Sequence, residues 1–183
     1  EFHSPDFTRT GGLLQMIQLW VNLPARDKMA DPGYQAITDA DIPVVSLPEG
    51  AGHLRIIAGS YQETRGPAKT FTPMNVWDLR LKQGQGCDLP ATGGWTTALM
   101  SLDGRLRVNG QVDVGEAELV LFERAGETIH IEAVEDAVLL YLGGEPIDEP
   151  IVGYGPFVMN SKQEIIQAVE DFNSGKFGSM PAA

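Results

Sequence analysis

From Trp77 onward in Asn75-Val-Trp-Asp-Leu-Arg-Leu81, apolar and charged side chains alternate one by one. A period of two is the mark of a half-buried strand, and it puts Trp77, Leu79 and Leu81 inward with Asp78 and Arg80 outward. Working outward, His53–Ala58, Trp95–Leu102, Arg105–Val108, Ala117–Glu123, Thr128–Glu132 and Ala137–Leu142 read as further short strands. Upstream, Gln15–Leu23 also alternates, with Ile17, Leu19, Val21 and Leu23 on one face. Asp103-Gly104 and Asn109-Gly110 read as tight hairpin turns, because each needs residues that accept a positive φ. About eight short strands at this spacing predict an all-β sandwich or barrel. One helix is expected near the end. Ser161-Lys-Gln-Glu164 forms a capping box, Ile165, Ile166, Val169 and Phe172 form an apolar stripe, and Gly175 is placed to stop it.

The 183 residues suffice for one generous domain or for one domain plus part of another. A net charge of −12 with no Lys/Arg cluster repels phosphate backbones, so direct nucleic-acid binding is not expected. No apolar run approaches the roughly 20 residues of a membrane span, and no charged-then-apolar leader is visible. The single Cys87 excludes an internal disulfide and suits a reducing, cytoplasmic setting. Glu1 in place of Met, with a strand-like run soon after it, suggests a fragment or a processed product. The segment Pro24 to Pro48 holds Pro24, Pro32, Pro43 and Pro48 and reads as an extended connector.

Chemistry-bearing residues are sparse. His3, His53 and His130 are far apart in sequence and form no local ligand pair. His3 reads as a turn residue. His53 and His130 read as strand residues, and His130 shares the outward face with Thr128 and Glu132. Cys87 follows Gly84-Gln-Gly86 and reads as an incidental thiol in a flexible loop, with Asp88 beside it opposing thiolate formation. Trp77 and Trp95 read as core or cavity-lining aromatics. No glycine-rich run has the order of a phosphate loop.

Two strings carry a family resemblance. Gln18-Leu-Trp-Val-Asn-Leu-Pro24 is followed by Lys28-Met29 and Tyr34. Gly144-Glu-Pro-Ile-Asp-Glu-Pro150 is followed by Gly155-Pro-Phe-Val-Met-Asn160 and a short amphipathic helix. In order and separation these resemble the pirin family along nearly the whole chain. The resemblance implies two tandem cupin (jelly-roll) barrels, each a double-stranded β-helix. Residues 1–35 would be the end of the N-terminal cupin domain and the connector, and residues 36–183 the C-terminal cupin domain with a terminal α-helix. It also implies a metal in the first barrel only, usually iron, held by three histidines and one glutamate. Glu1 falls at the place of that glutamate, and the histidines would precede it. The expectation is therefore Fe(II) in the intact protein and none bound by this chain alone. The implied activity is quercetin 2,3-dioxygenation. The alternative is an iron-dependent, redox-sensing transcriptional co-regulator acting through protein binding. The implied partners are the missing N-terminal cupin domain, a flavonol substrate or a regulatory protein. A first strand stripped of its neighbours would also invite self-association.

Overall fold

The computed structural model of the chain describes residues 4–178. In chain order its strands are β1 (Val44–Ser46), β2 (Gly52–Ala58), β3 (Ser60–Tyr61), β4 (Thr64–Arg65), β5 (Met74–Leu81), β6 (Gly86–Pro90), β7 (Thr96–Asp103), β8 (Leu106–Val108), β9 (Val112–Val114), β10 (Leu119–Leu121), β11 (Thr128–Ala133), β12 (Ala137–Gly144), β13 (Val152–Tyr154) and β14 (Phe157–Met159). Two helices flank them, α1 (Pro5–Thr10) and α2 (Lys162–Asn173). Six strands form a long sheet in the order β1-β2-β5-β12-β7-β10, and four form a short sheet in the order β6-β11-β8-β9. From β5 to β8 each successive strand switches sheet, which is the winding of a jelly roll. The barrel expected from the alternating runs is the fold.

The inward faces meet in a dry core. The long sheet contributes Leu54, Ile56, Trp77, Leu79, Leu99, Leu139 and Tyr141, and the short sheet contributes Leu89, Leu106, Val108, Ile129 and Ile131. Trp77 and Tyr141 stack at 4.3 Å between ring centroids, and Tyr61 meets Trp77 edge-on at 5.4 Å. Tyr141 can lean along its strand because Gly143 has no side chain. A Cβ there would come within 3.1 Å of the Tyr141 ring. The Tyr141 hydroxyl then reaches across the barrel and donates to the carbonyl of Pro90 at 3.0 Å.

Several local expectations are corrected. Asn109-Gly110 does close the β8–β9 hairpin, with φ of 50° and 64°. Asp103-Gly104 instead carries the chain from β7 in the long sheet to β8 in the short one. Gly104 is required there (φ 76°), since a Cβ would run into the Asp136 carbonyl. Gln15–Leu23 is not a strand, because none of its backbone groups enters a described ladder. The Pro24–Pro48 connector contains β1, which pairs with β2. The opening polar stretch contains α1, whose start is written in Ser4-Pro5: Ser4 Oγ accepts from the Phe7 N–H at 3.1 Å, and Pro5 sits in the first turn.

Helix α2 begins and ends as expected. Ser161 Oγ accepts from the Glu164 N–H at 3.3 Å. The Glu164 carboxylate reaches one residue further back than a capping box requires, and accepts from the Asn160 N–H at 3.0 Å. The Lys176 N–H returns to the Asp171 carbonyl and the Gly175 N–H to that of Phe172, with Gly175 at φ 77°, a Schellman ending. The buried face is narrower than the expected stripe. Ile165 and Ala168 are buried, while Ile166 and Phe172 are exposed.

Trp77 fills the centre of the barrel. Trp77→Ala should cost about 3–5 kcal/mol through lost apolar burial and the cavity left behind. The expected result is a lower urea midpoint with an unchanged m-value.

Candidate functional site

The barrel interior is filled with hydrocarbon and aromatic rings. Among the described residues no histidine or carboxylate is part of that buried core, and no group of three or more His, Cys, Asp or Glu side chains is placed to hold a metal ion. His53 shares the outward face of β2 with Arg55. His130 stands outward on β11, where its Nδ1 lies 2.7 Å from Asp88 Oδ1 and its N–H donates to Asn109 Oδ1. Cys87 is not in a loop. It lies in β6 and is buried, and burial followed by the adjacent Asp88 charge pushes its thiol up to about 11. A thiol held protonated is a poor metal ligand and a poor nucleophile. An iron centre built from imidazoles and a carboxylate therefore does not fit the inside of this barrel. Glu1, the expected metal ligand, and His3, read as a turn residue, lie outside the described residues.

The feature with functional character is on the other side of the long sheet. An antiparallel sheet normally turns one face to the core and a polar face to water. Here the outward face is apolar across four strands. Leu121 pairs with Ala98, Ala98 with Leu142, and Leu142 with Val76. One row over, Leu119 pairs with Met100 and Met100 with Leu140. That row turns polar only at Asp78, whose carboxylate pairs with Arg55 at 2.8 Å. Leu119 and Leu121 are 60% and 68% exposed. The signal was in the sequence: Ala137–Leu142 is apolar at every position, which marks a strand buried on both faces rather than one.

The segment 19–22 runs beside this face. With Met74, Val76, Ala98 and Leu142 on one side and the 145–151 loop on the other, it encloses a groove of about 580 Å³. Trp20 is exposed at its edge. The segment is tied down at its C-terminal end. Glu149 Oε2 accepts from the Ala25 N–H at 2.6 Å and from Asn160 Nδ2 at 3.0 Å. Asn160 Nδ2 also donates to the Pro150 carbonyl at 3.0 Å. Lys28 Nζ donates to Asn22 Oδ1 at 2.6 Å. The string Gln18–Pro24 is far in the chain from Gly144–Pro150 and Gly155–Asn160, but all three meet in this one groove and its clamp. Glu149 and Asn160 were not singled out by the sequence reading. Both lie inside the strings that carry the resemblance, but nothing local gives either a role, since their partners lie 124 and 11 residues away.

Comparison with known proteins identifies the family. Residues 76–178 match the profile of the Pirin C-terminal cupin domain. A Pseudomonas aeruginosa protein, provisionally named a quercetin 2,3-dioxygenase, is 52% identical over 97% of this chain and 62% of its own length. A pirin-like protein of Caulobacter vibrioides is 36% identical over 96% of this chain and 63% of its own length. A crystal structure of a quercetin 2,3-dioxygenase from Acinetobacter baumannii superposes with a TM-score of 0.95 at 48% identity, covering 98% of this chain and 62% of that one. The chain thus spans somewhat under two thirds of the length of these relatives.

The burial of Cys87 has a direct readout. At pH 8 the folded chain should leave an aromatic disulfide reagent almost unreacted, because the thiol is both covered and protonated below a pKa of about 11. In urea the same thiol should react fully. Rapid stoichiometric reaction of the folded chain would contradict this placement.

Proposed function

Because this chain belongs to the pirin family and carries its C-terminal cupin domain, we propose that it serves as the companion barrel of a two-barrel iron protein, contributing a docking face rather than a metal cage. The supporting observation is the long sheet, whose outer face is apolar like its inner one across β10, β7, β12 and the Val76 end of β5. Its inner face is satisfied within the barrel. Its outer face offers a first cupin barrel a dry surface, and the clamped 19–25 segment is the stretch through which that barrel would connect.

In this reading Fe(II) belongs to the first barrel, held by three imidazoles and a glutamate at the position of Glu1. Imidazole with carboxylate, leaving open positions, is a donor set suited to iron and dioxygen. The intact protein would act on a flavonol of the quercetin type. Residues 1–35 would close the first barrel and 36–183 form the second. In this reading Glu1 is the ligand this chain contributes, and among the described residues no group of three or more His, Cys, Asp or Glu is placed to hold a metal ion. The chain's own side chains hold the 19–25 segment in place through Glu149, Asn160 and Lys28, and they exclude water from the interface.

The test compares this chain with a longer polypeptide that includes the first barrel. Elemental analysis should find about one iron per longer polypeptide and none per 183-residue chain. Only the former should take up O₂ when quercetin is added. Stoichiometric iron in the 183-residue chain would place the site wrongly, and no quercetin-dependent O₂ uptake by the iron-loaded longer protein would remove the dioxygenase reading.

The docking face has its own test. Left uncovered, Leu119, Leu121 and Leu142 should drive the chain to self-associate. Light scattering should give a mass above the 19.8 kDa monomer that rises with concentration. The L119K/L121K variant should return it to monomer. A monodisperse monomer for the unaltered chain would mean that the face needs no cover.

A further inference from the structure

The two barrel sheets end in four edge strands, β1 and β10 on the long sheet and β6 and β9 on the short one. A bare edge offers unpaired N–H and C=O groups to any further strand, and folded proteins blunt such edges with proline, charge or a cover. Three of the four are blunted. β1 lies between Pro43 and Pro48, and β6 ends at Pro90. β9 carries Asp113, whose carboxylate takes the Arg107 guanidinium at 2.8 Å. β10 is Leu119-Val-Leu121, with neither proline nor charge within it.

The register shows which groups β10 leaves open. The Phe122 N–H donates to the Thr97 carbonyl and the Ser101 N–H to the Glu118 carbonyl, both at 3.0 Å. Antiparallel pairs alternate, so between them Val120 turns its N–H and C=O toward β7, while Leu119 and Leu121 turn theirs away. Both sides of that edge are apolar. Leu119 and Leu121 project onto the outer face of the long sheet. On the inner side a cavity of about 330 Å³ lies between β10 and β8–β9. Val108, Val120, Phe122 and Ile129 line it, together with polar residues such as Asn109 and Arg124. A strand added at this edge needs apolar side chains on both of its faces.

The chain holds such a segment. Leu13–Gln18 enters no ladder among the described residues. Leu13, Leu14, Met16 and Ile17 are all exposed, Leu13 by 85%. Placed in a strand, Leu13 and Ile17 share one face and Leu14 and Met16 the other. No ionisable side chain lies between Arg9 and Arg26. In a chain of net charge −12, this neutral stretch can approach Glu116, Glu118 and Glu123 beside β10 without like-charge repulsion.

We propose that two copies of the 183-residue chain exchange this segment, Leu13–Gln18 of each adding as a strand to the β10 edge of the other. The exchange is reciprocal, so it closes as a two-fold dimer. Direct β10–β10 pairing would leave Leu13–Gln18 bare. The exchange uses the edge of β10 rather than the outer face, and it leaves the 19–25 clamp in place.

The test is amide hydrogen exchange of the 183-residue chain, followed by NMR at concentrations below and above the onset of association in light scattering. On association the amides of Leu119, Leu121 and Leu13–Gln18 should slow together, by about tenfold or more. The M16P/I17P variant removes an N–H from each edge of the segment. Its fold should stay intact, because the segment enters no ladder, and its mass should return to 19.8 kDa. A variant that associates as strongly as the unaltered chain would overturn the exchange. The outer-face contact would then stand by itself if L119K/L121K were still monomeric. Protection of these amides at every concentration would put the segment on its own β10 and overturn the exchange as well. So would a chain that is monomeric throughout. Should M16P/I17P fail to fold, the unaltered chain decides, since face-to-face contact without strand addition would leave the Leu13–Gln18 amides unslowed.

Discussion

A β-sheet with hydrocarbon on both faces has to be covered twice, and the arrangement of this chain follows from how that requirement is met. The first cover is internal. The short sheet closes over the inward face of the long one, and the Trp77–Tyr141 stack fills the space between them. Filling the barrel this way removes the room and the ligands that a metal would need. The second cover is incomplete. The 19–22 segment shields part of the outward face, but Leu119 and Leu121 remain bare. At about 25 cal/mol for each Å² of apolar surface removed from water, covering such leucines is worth on the order of 1–2 kcal/mol apiece.

The same logic explains which expectations the folded chain meets. Period-two alternation identifies Trp77, Leu79 and Leu81 as inward because that pattern is a local property of the backbone. It fails at Gln15–Leu23 for a physical reason. Alternation says which side chains would share a face, whereas strand formation also needs a neighbour for the N–H and C=O groups. No such neighbour is among the described residues. Asp103-Gly104 and Asn109-Gly110 look alike in sequence but do different things. The residue pair specifies a tight change of direction, and only tertiary packing decides whether the next strand pairs back or crosses to the other sheet. Gly84-Gln-Gly86 suits a turn and by itself points to a loop thiol at Cys87. The pairing of β6 with β11 draws it instead into the core opposite Ile131.

The groove was the least readable part. Its pieces come from Leu19–Asn22, Met74–Val76, Thr96–Ala98 and Leu142–Ile151, and no local pattern links them. What was readable was the pairing of the Gln18–Pro24 and Gly144–Pro150 strings as a resemblance. In the structure Glu149 gives that pairing a cause. One carboxylate oxygen serves the Ala25 N–H and the Asn160 amide together. Charge-assisted bonds of this kind are stronger than neutral ones. In the folded chain the residue that follows the first string and the residue that ends the third both donate to the carboxylate of the second.

That clamp also separates two jobs that a single barrel would struggle to combine. A metal site needs polar ligands converging inward and an opening to substrate. A docking barrel needs a stiff, filled interior so that its outer face keeps its shape under contact. Packing Trp77, Tyr141 and Tyr61 into the interior favours the second job at the expense of the first, since close-packed cores transmit strain rather than absorb it. The acidic rim of Glu145, Asp148 and Glu149 beside the groove is then best understood as positioning. Glu149 is spent on Ala25 and Asn160, and Asp148 faces Arg124 at 3.8 Å. Neither carboxylate stands poised over the groove as a general base.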